Sequence, residues 1–140
     1  MKIMAVDPGE KRIGLAISDE SWTIANPLHV IPHTSRLVDA AQVAESASAH
    51  DVRKIIVGQS FGEDGNPNAA GVSAGRFAEA LRQQTSLPVE LWDESFTTQD
   101  ARSARTAMGV SRKKRSGHLD ELAATVLLQS YLDAHSGSLR

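Results

Sequence analysis

The segment KIIVG, starting at Lys54, is a short apolar run with turn formers after it and helical periodicity on both sides. A strand of that composition is buried on both faces, so it requires helices above and below and parallel neighbours. Three further strand-like runs crowd into the first 31 residues: KIMAVD from Lys2, RIGLAISD from Arg12 and TIANPLHVI from Thr23. Their short connections predict an antiparallel meander, and Pro27 assigns the third run to an edge or a bulge. A helix is expected from Leu37 to about His50, with Leu37, Ala40, Ala41, Ala44 and Ala47 as its apolar face and Thr34 or Ser35 as its cap. A second is expected from Asn68 to Gln84, with Val72, Phe77, Ala80 and Leu81 facing inward. PVELWDE, from Pro88, reads as a fifth strand. TTQDARSARTAM, from Thr97, and HLDELAATVLLQSYLDAH, from His118, read as two more helices. The order β-β-β-α-β-α-β-α-α describes a single α/β domain, a mixed five-stranded sheet flanked by helices, spanning residues 1–135. Residues 136–140 are expected to be a disordered tail.

With 140 residues the chain can bury one core but not two. It has no cysteine, which excludes disulfide scaffolds, thiolate metal sites and a thiol nucleophile, and fits a cytoplasmic protein. No window is apolar enough to span a membrane, and the start lacks a signal-peptide pattern. The net charge is −2. A nucleic-acid partner would therefore need locally clustered cations. Residues 101–118 supply them: Arg102, Arg105, Arg112, Lys113, Lys114 and Arg115 occur there with no acid among them. Such a run is either a solvated loop or a phosphate-binding one.

Several acids terminate apolar runs. Asp7 closes the first strand before the Pro8–Gly9 turn, and Asp93 and Glu94 close the fifth. If those were neighbouring parallel strands, their acids would open on one side of the sheet, where α/β proteins bind ligands. Asp120 lies in the first turn of the last helix, on the stripe that continues through Ala123, Ala124, Leu127, Leu128 and Tyr131. Glu121 leads instead into the polar stripe of Thr125 and Gln129. A carboxylate facing a core is costly unless paired or metal-bound. Taken singly, Asp7 is explained by capping a turn, Asp120 by the helix dipole, and either Asp93 or Glu94 by capping the next helix. Taken together they form an all-oxygen set suited to Mg²⁺ or Mn²⁺, as in two-ion phosphodiester hydrolysis.

The stretches DPGEKRIGLAISD, IIVGQSFGEDG, DESFTT and HLDELAATVLLQSYL, in that order and over nearly the whole chain, resemble the YqgF/RuvX family. The resemblance implies a ribonuclease H-like fold. It also implies a nuclease of the kind described both as Holliday junction resolvase and as the enzyme maturing the 5′ end of pre-16S ribosomal RNA. By position it implies Asp7, Glu94 and Asp120 as catalytic and metal-binding acids, choosing Glu94 over Asp93. It implies phosphate or substrate contacts for Arg12, Thr97 and Lys114, to which the run adds Arg112, Lys113 and Arg115. Two departures stand out: Gln59–Ser60 replaces the usual Leu-Pro, and Ser95 replaces the usual Arg, removing a bidentate phosphate contact.

The implied cofactors are Mg²⁺ or Mn²⁺, two ions in the usual scheme. The implied partners are structured RNA or branched DNA, with a pre-ribosomal particle as one setting, no membrane, and a monomer or homodimer. Two other classes share features of the sequence. An Asp-x-Gly turn after a first strand also opens actin-like and sugar-kinase ATPase lobes, but those need a second lobe that this length does not hold. A non-catalytic RNA-binding factor would use the basic run and leave the acids without a role. Trp22, Trp92 and Phe96 are assigned to the core rather than to a dimer face or a base-stacking platform.

Overall fold

A computed structural model describes residues 1–94 and 119–135, the last segment beginning with backbone alone through residue 121. The strands are β1 (Lys2–Pro8), β2 (Arg12–Ser18), β3 (Ala25–Pro32), β4 (Val52–Gln59) and β5 (Val89–Asp93). The helices are α1 (Arg36–Ala49), α2 (Ala69–Arg82) and α3 (Leu119–Ala134). The helix expected from Thr97, the basic run, Ser95, Phe96 and the tail 136–140 lie outside the described residues.

The sheet order is β3-β2-β1-β4-β5. β1, β2 and β3 form the antiparallel meander, while β4 runs parallel to both β1 and β5. β3 is one of the two edge strands, and its register slips where Ala16 meets Pro27. Proline has no amide hydrogen to give the ladder, which is why it is tolerated there. The first and fifth strands are not direct neighbours, since β4 lies between them, but both run parallel to it and open their carboxyl ends on one side of the sheet. In β4, Ile55, Ile56 and Val57 are fully buried, as a two-sided inner strand demands.

One face of the sheet carries α1 and α2, packed over Met4, Val6, Leu15, Ile55 and Val57. The other face carries α3, with Ala124, Leu127, Leu128, Tyr131 and Leu132 against Ile3, Ala5, Ala16 and Ile56. Trp22 and Trp92 pack half-buried against this second layer, in line with a core role. Two helical faces differ from expectation. Leu37 of α1 is 66% exposed, and the inward stripe is Asp39, Ala40, Val43 and Ala47. Val72 of α2 is also exposed; Gly71, Ala74, Phe77, Ala78 and Leu81 face the sheet. Ser35 caps α1 by accepting from the Val38 amide at 3.2 Å, and Asn68 caps α2 by accepting from Gly71.

The segment between β4 and α2 explains Gln59–Ser60. The Gln59 side-chain amide donates to the Gly71 carbonyl at 3.0 Å, and the Ser60 hydroxyl donates to the cap residue Asn68 at 2.7 Å. Both polar side chains tie the end of β4 to the start of α2. Gly71 permits the approach, because a methyl group there would run into the Ser60 carbonyl.

Candidate active site

Strand alternation decides which side chains share a face. On β1, Ile3 and Ala5 lie under α3, and Asp7 continues that set. On β4, Ile56 does so and Gly58 follows. Val6 pairs with Val57, so Asp7 and Gly58 stand side by side one step further along. Gly58 in turn pairs with Trp92 of β5, and Glu94 is the next residue of the Trp92 set. Asp7, Gly58 and Glu94 thus cross the carboxyl edge of three adjacent strands on the α3 side. Asp93, opposite Gln59, belongs to the other set.

Two strand spacings separate β1 from β5, close to 10 Å of backbone. Glu94 spans part of that gap by folding its side chain back over Gly58. A methyl group at Gly58 would lie 2.5 Å from Glu94 Oε1, 3.0 Å from Glu94 Cγ and 2.9 Å from Leu127 Cδ2. The absence of a side chain at Gly58 is therefore what lets a carboxylate from β5 approach the β1 side of the edge. Sequence reading missed Gly58 as a site residue. The signal was a glycine at the end of an otherwise bulky inner strand.

The direction of α3 completes the arrangement. Tyr131 bonds Lys54 at 2.6 Å and Glu90 at 3.0 Å, near the starts of β4 and β5, whereas Leu127 reaches Gly58 near the end of β4. The helix therefore runs against these strands, and its first turn lies toward their carboxyl ends. Asp120 is in that turn, about 10 Å up the axis from Leu127 and on the stripe of buried Ala124 and Leu127. Its side chain is outside the described residues. Among the described residues no three His, Asp or Glu side chains form a metal-holding group. Gln129, expected on a solvated stripe, instead accepts from the Ala25 amide and donates to the Thr23 carbonyl, fastening α3 to the edge strand.

Around the same edge, the β1–β2 turn is closed by the Gly9 amide donating to the Arg12 carbonyl at 2.9 Å. A methyl group at Gly9 would sit 2.6 Å from that carbonyl oxygen, so the turn requires glycine. Arg12 opens β2 with an exposed side chain. Thr97, Arg112, Lys113, Lys114 and Arg115 lie outside the described residues.

A donor set of carboxylate oxygens suits a hard divalent cation. The open cradle over Gly58 gives one of those carboxylates its place, so the residues fit such an ion. The sheet with α3 packed on it has the ribonuclease H-like fold of RuvC-type resolvases. Thermus thermophilus RuvC in complex with a Holliday junction substrate aligns over 99% of this chain and 97% of its own, with a TM-score of 0.62 at 19% identity. The fowlpox virus resolvase bound to Holliday junction DNA aligns over 97% and 99%, with a TM-score of 0.61 at 14% identity. Within that fold class, residues 1–134 match the family described as RuvX, Holliday junction resolvase, and the chain belongs to it. A protein of Syntrophus aciditrophicus (strain SB), named as a candidate pre-16S rRNA nuclease, is 39% identical over 136 residues, covering 97% of this chain and 91% of its own.

Proposed function

We propose that this chain is a divalent-metal-dependent endonuclease of the cytoplasm, with Asp7, Glu94 and Asp120 holding one or two Mg²⁺ or Mn²⁺ ions. Residues 1–135 act as its single nuclease domain. The observation that carries the reading is the placement of Asp7 and Glu94 on one face of one sheet edge, around Gly58, beneath the helix that bears Asp120. Bound there, a divalent ion supplies Lewis acidity toward the scissile phosphate. The protein's share is positional. Leu127 and Ala124 keep the floor of the site apolar, Gly58 admits Glu94, and the tight Pro8–Gly9 turn presents Asp7. Arg12, Thr97, Arg112, Lys113, Lys114 and Arg115 contact substrate phosphates and offset the acidic centre.

The substrate favoured is the 5′ region of pre-16S ribosomal RNA, within a pre-ribosomal particle. The activity named for the Syntrophus relative supports it, as does a net-acidic chain with one basic run, poorly equipped to grip four duplex arms. The second reading is a junction resolvase, supported by the family's description; it requires a homodimer making paired cuts, whereas RNA cleavage does not. Side-by-side cleavage of a pre-16S fragment and a four-way junction with Mn²⁺, with Asp7→Asn as control, tests the proposal. Metal-dependent cleavage lost in Asp7→Asn is the expected result. Cleavage of neither substrate, or equal cleavage by the variant, would overturn it.

A further inference from the structure

Behind the Pro8–Gly9 turn, on the side of the sheet away from Asp7, lies a cavity of about 240 Å³. Its lining includes His33, Ser35, Arg36, Asp39 and Ser73, together with Gly9. A second hollow of about 290 Å³ continues from Pro8, Gly9 and Ser73 toward Ala69 and Ala70, with the exposed Glu10 on its rim. The metal-binding acids do not account for this space, and its chemistry is unusual for the back of a core. Asp39 is only 1% exposed, yet it is a carboxylate on a helix face that otherwise carries alanine and valine.

The Asp39 oxygens are both engaged. Oδ2 lies 2.5 Å from His33 Nδ1, and Oδ1 accepts from the Thr34 amide at 3.0 Å. A carboxylate can only accept, so it fixes the proton on Nδ1; Nε2 of the neutral ring, turned away from the core, then carries only a lone pair and accepts. The His33 side chain is 43% exposed, and Nε2 has no partner among the described residues. Arg36 is likewise exposed and makes no ion pair among the described residues. Two hydroxyls, Ser35 and Ser73, complete the lining. The negative charge of Asp39 is committed inward to His33 and Thr34, leaving the Ser35 and Ser73 hydroxyls and the Arg36 guanidinium as the donors at the opening.

Position ties the cavity to the cutting edge. Gly9 lines it, and Asp7 is two residues away along the chain, at most about 7 Å. The His33 amide also donates to the Lys11 carbonyl at 2.9 Å, fixing the cavity wall to the same turn. We infer that this cavity is a subsite for a backbone phosphate of the substrate strand, one or two nucleotides from the scissile bond, held by Arg36 and the Ser35 and Ser73 hydroxyls, with Asp39 and His33 fixing the wall behind them. The inference rests on the nuclease reading and extends it, because it predicts that the strand crosses the sheet edge at Pro8–Gly9.

The test uses the full chain carrying Asp7→Asn, with binding followed by fluorescence anisotropy on whichever of the two substrates the unmodified protein cleaves. Arg36→Gln, at an exposed position, should weaken binding roughly tenfold and reduce the salt-dependence slope by about one. Ser73→Ala, also at an exposed position, is the second variant, with its melting temperature confirming the fold. Replacing single phosphates near the cut by neutral methylphosphonates should abolish the Arg36→Gln effect at one position within two nucleotides. Unchanged affinity and slope, or a loss that persists at every methylphosphonate position, would overturn the inference while leaving the cleavage result intact. AMP competing at micromolar concentration would also overturn it, by making the cavity a free-nucleotide site. Absence of cleavage on any substrate would instead count against the nuclease reading itself.

Discussion

Gly58→Ala isolates the role of Glu94 without touching a carboxylate. The new methyl group would sit 2.5 Å from Glu94 Oε1 and 2.9 Å from Leu127 Cδ2, both inside the 3.0 Å that real side chains essentially never breach. Restoring ordinary contact requires the carboxylate to retreat by about 0.9 Å and the leucine by about 0.5 Å. Overpacking of this size costs about 1–3 kcal/mol, offset by the 0.5–1 kcal/mol that alanine gains over glycine inside a strand. A net loss near 1 kcal/mol lowers the melting temperature by roughly 4 °C in a domain of this size. The catalytic cost should be much larger, because displacing a reacting group by about 1 Å can remove a factor of 10² in rate. Calorimetry on the purified variant and single-turnover cleavage separate the two effects. Wild-type cleavage at a melting temperature lowered by several degrees would refute the claim that Gly58 exists to place Glu94.

Further outcomes follow from other contacts. Tyr131→Phe removes the donor to Glu90 and the acceptor for Lys54, and should cost about 1 kcal/mol by urea denaturation while leaving cleavage unchanged. Burial alone would raise the Glu90 carboxyl, but hydrogen bonds from Lys54 and Tyr131 outweigh it and hold it below the usual 4.5. The stabilisation from Glu90 is therefore complete above that value and fades as pH falls through the lowered one, so stability curves of wild type and Glu90→Gln should converge in acid. Asp39→Ala leaves the Thr34 amide and His33 without their acceptor, and should lower stability by about 1–3 kcal/mol in the same assay. Leu127→Ala empties a buried position between Gly58 and α3, and should cost about 2–5 kcal/mol.

The sequence made the inner strand, the meander and the edge position of the proline strand readable, because each rests on a local pattern of period two or on the missing amide of Pro27. Helix positions were readable and helix faces less so. α1 mixes many alanines with Leu37 and Val38, and apolar identity alone could not show that Leu37 faces out while Asp39 faces in. Asp39 buries itself because His33 and Thr34, outside the helix, supply its partners, and no helical spacing reports that. The same holds at the site. Asp7, and the pair Asp93 and Glu94, could be named from where apolar runs stop; the choice of Glu94 came only with the family resemblance. That β4 intervenes between their strands, and that Gly58 makes the crossing possible, depends on sheet order, which the sequence does not state.

The proposed function requires that Asp7, Glu94 and Asp120 share one metal site. Isothermal titration of Mn²⁺ into the wild type and into Asp7→Asn, Glu94→Gln and Asp120→Asn measures it. Each substitution should weaken Mn²⁺ binding by more than about tenfold, with cleavage falling in parallel. A variant among the three that binds Mn²⁺ and cleaves as the wild type does would contradict it.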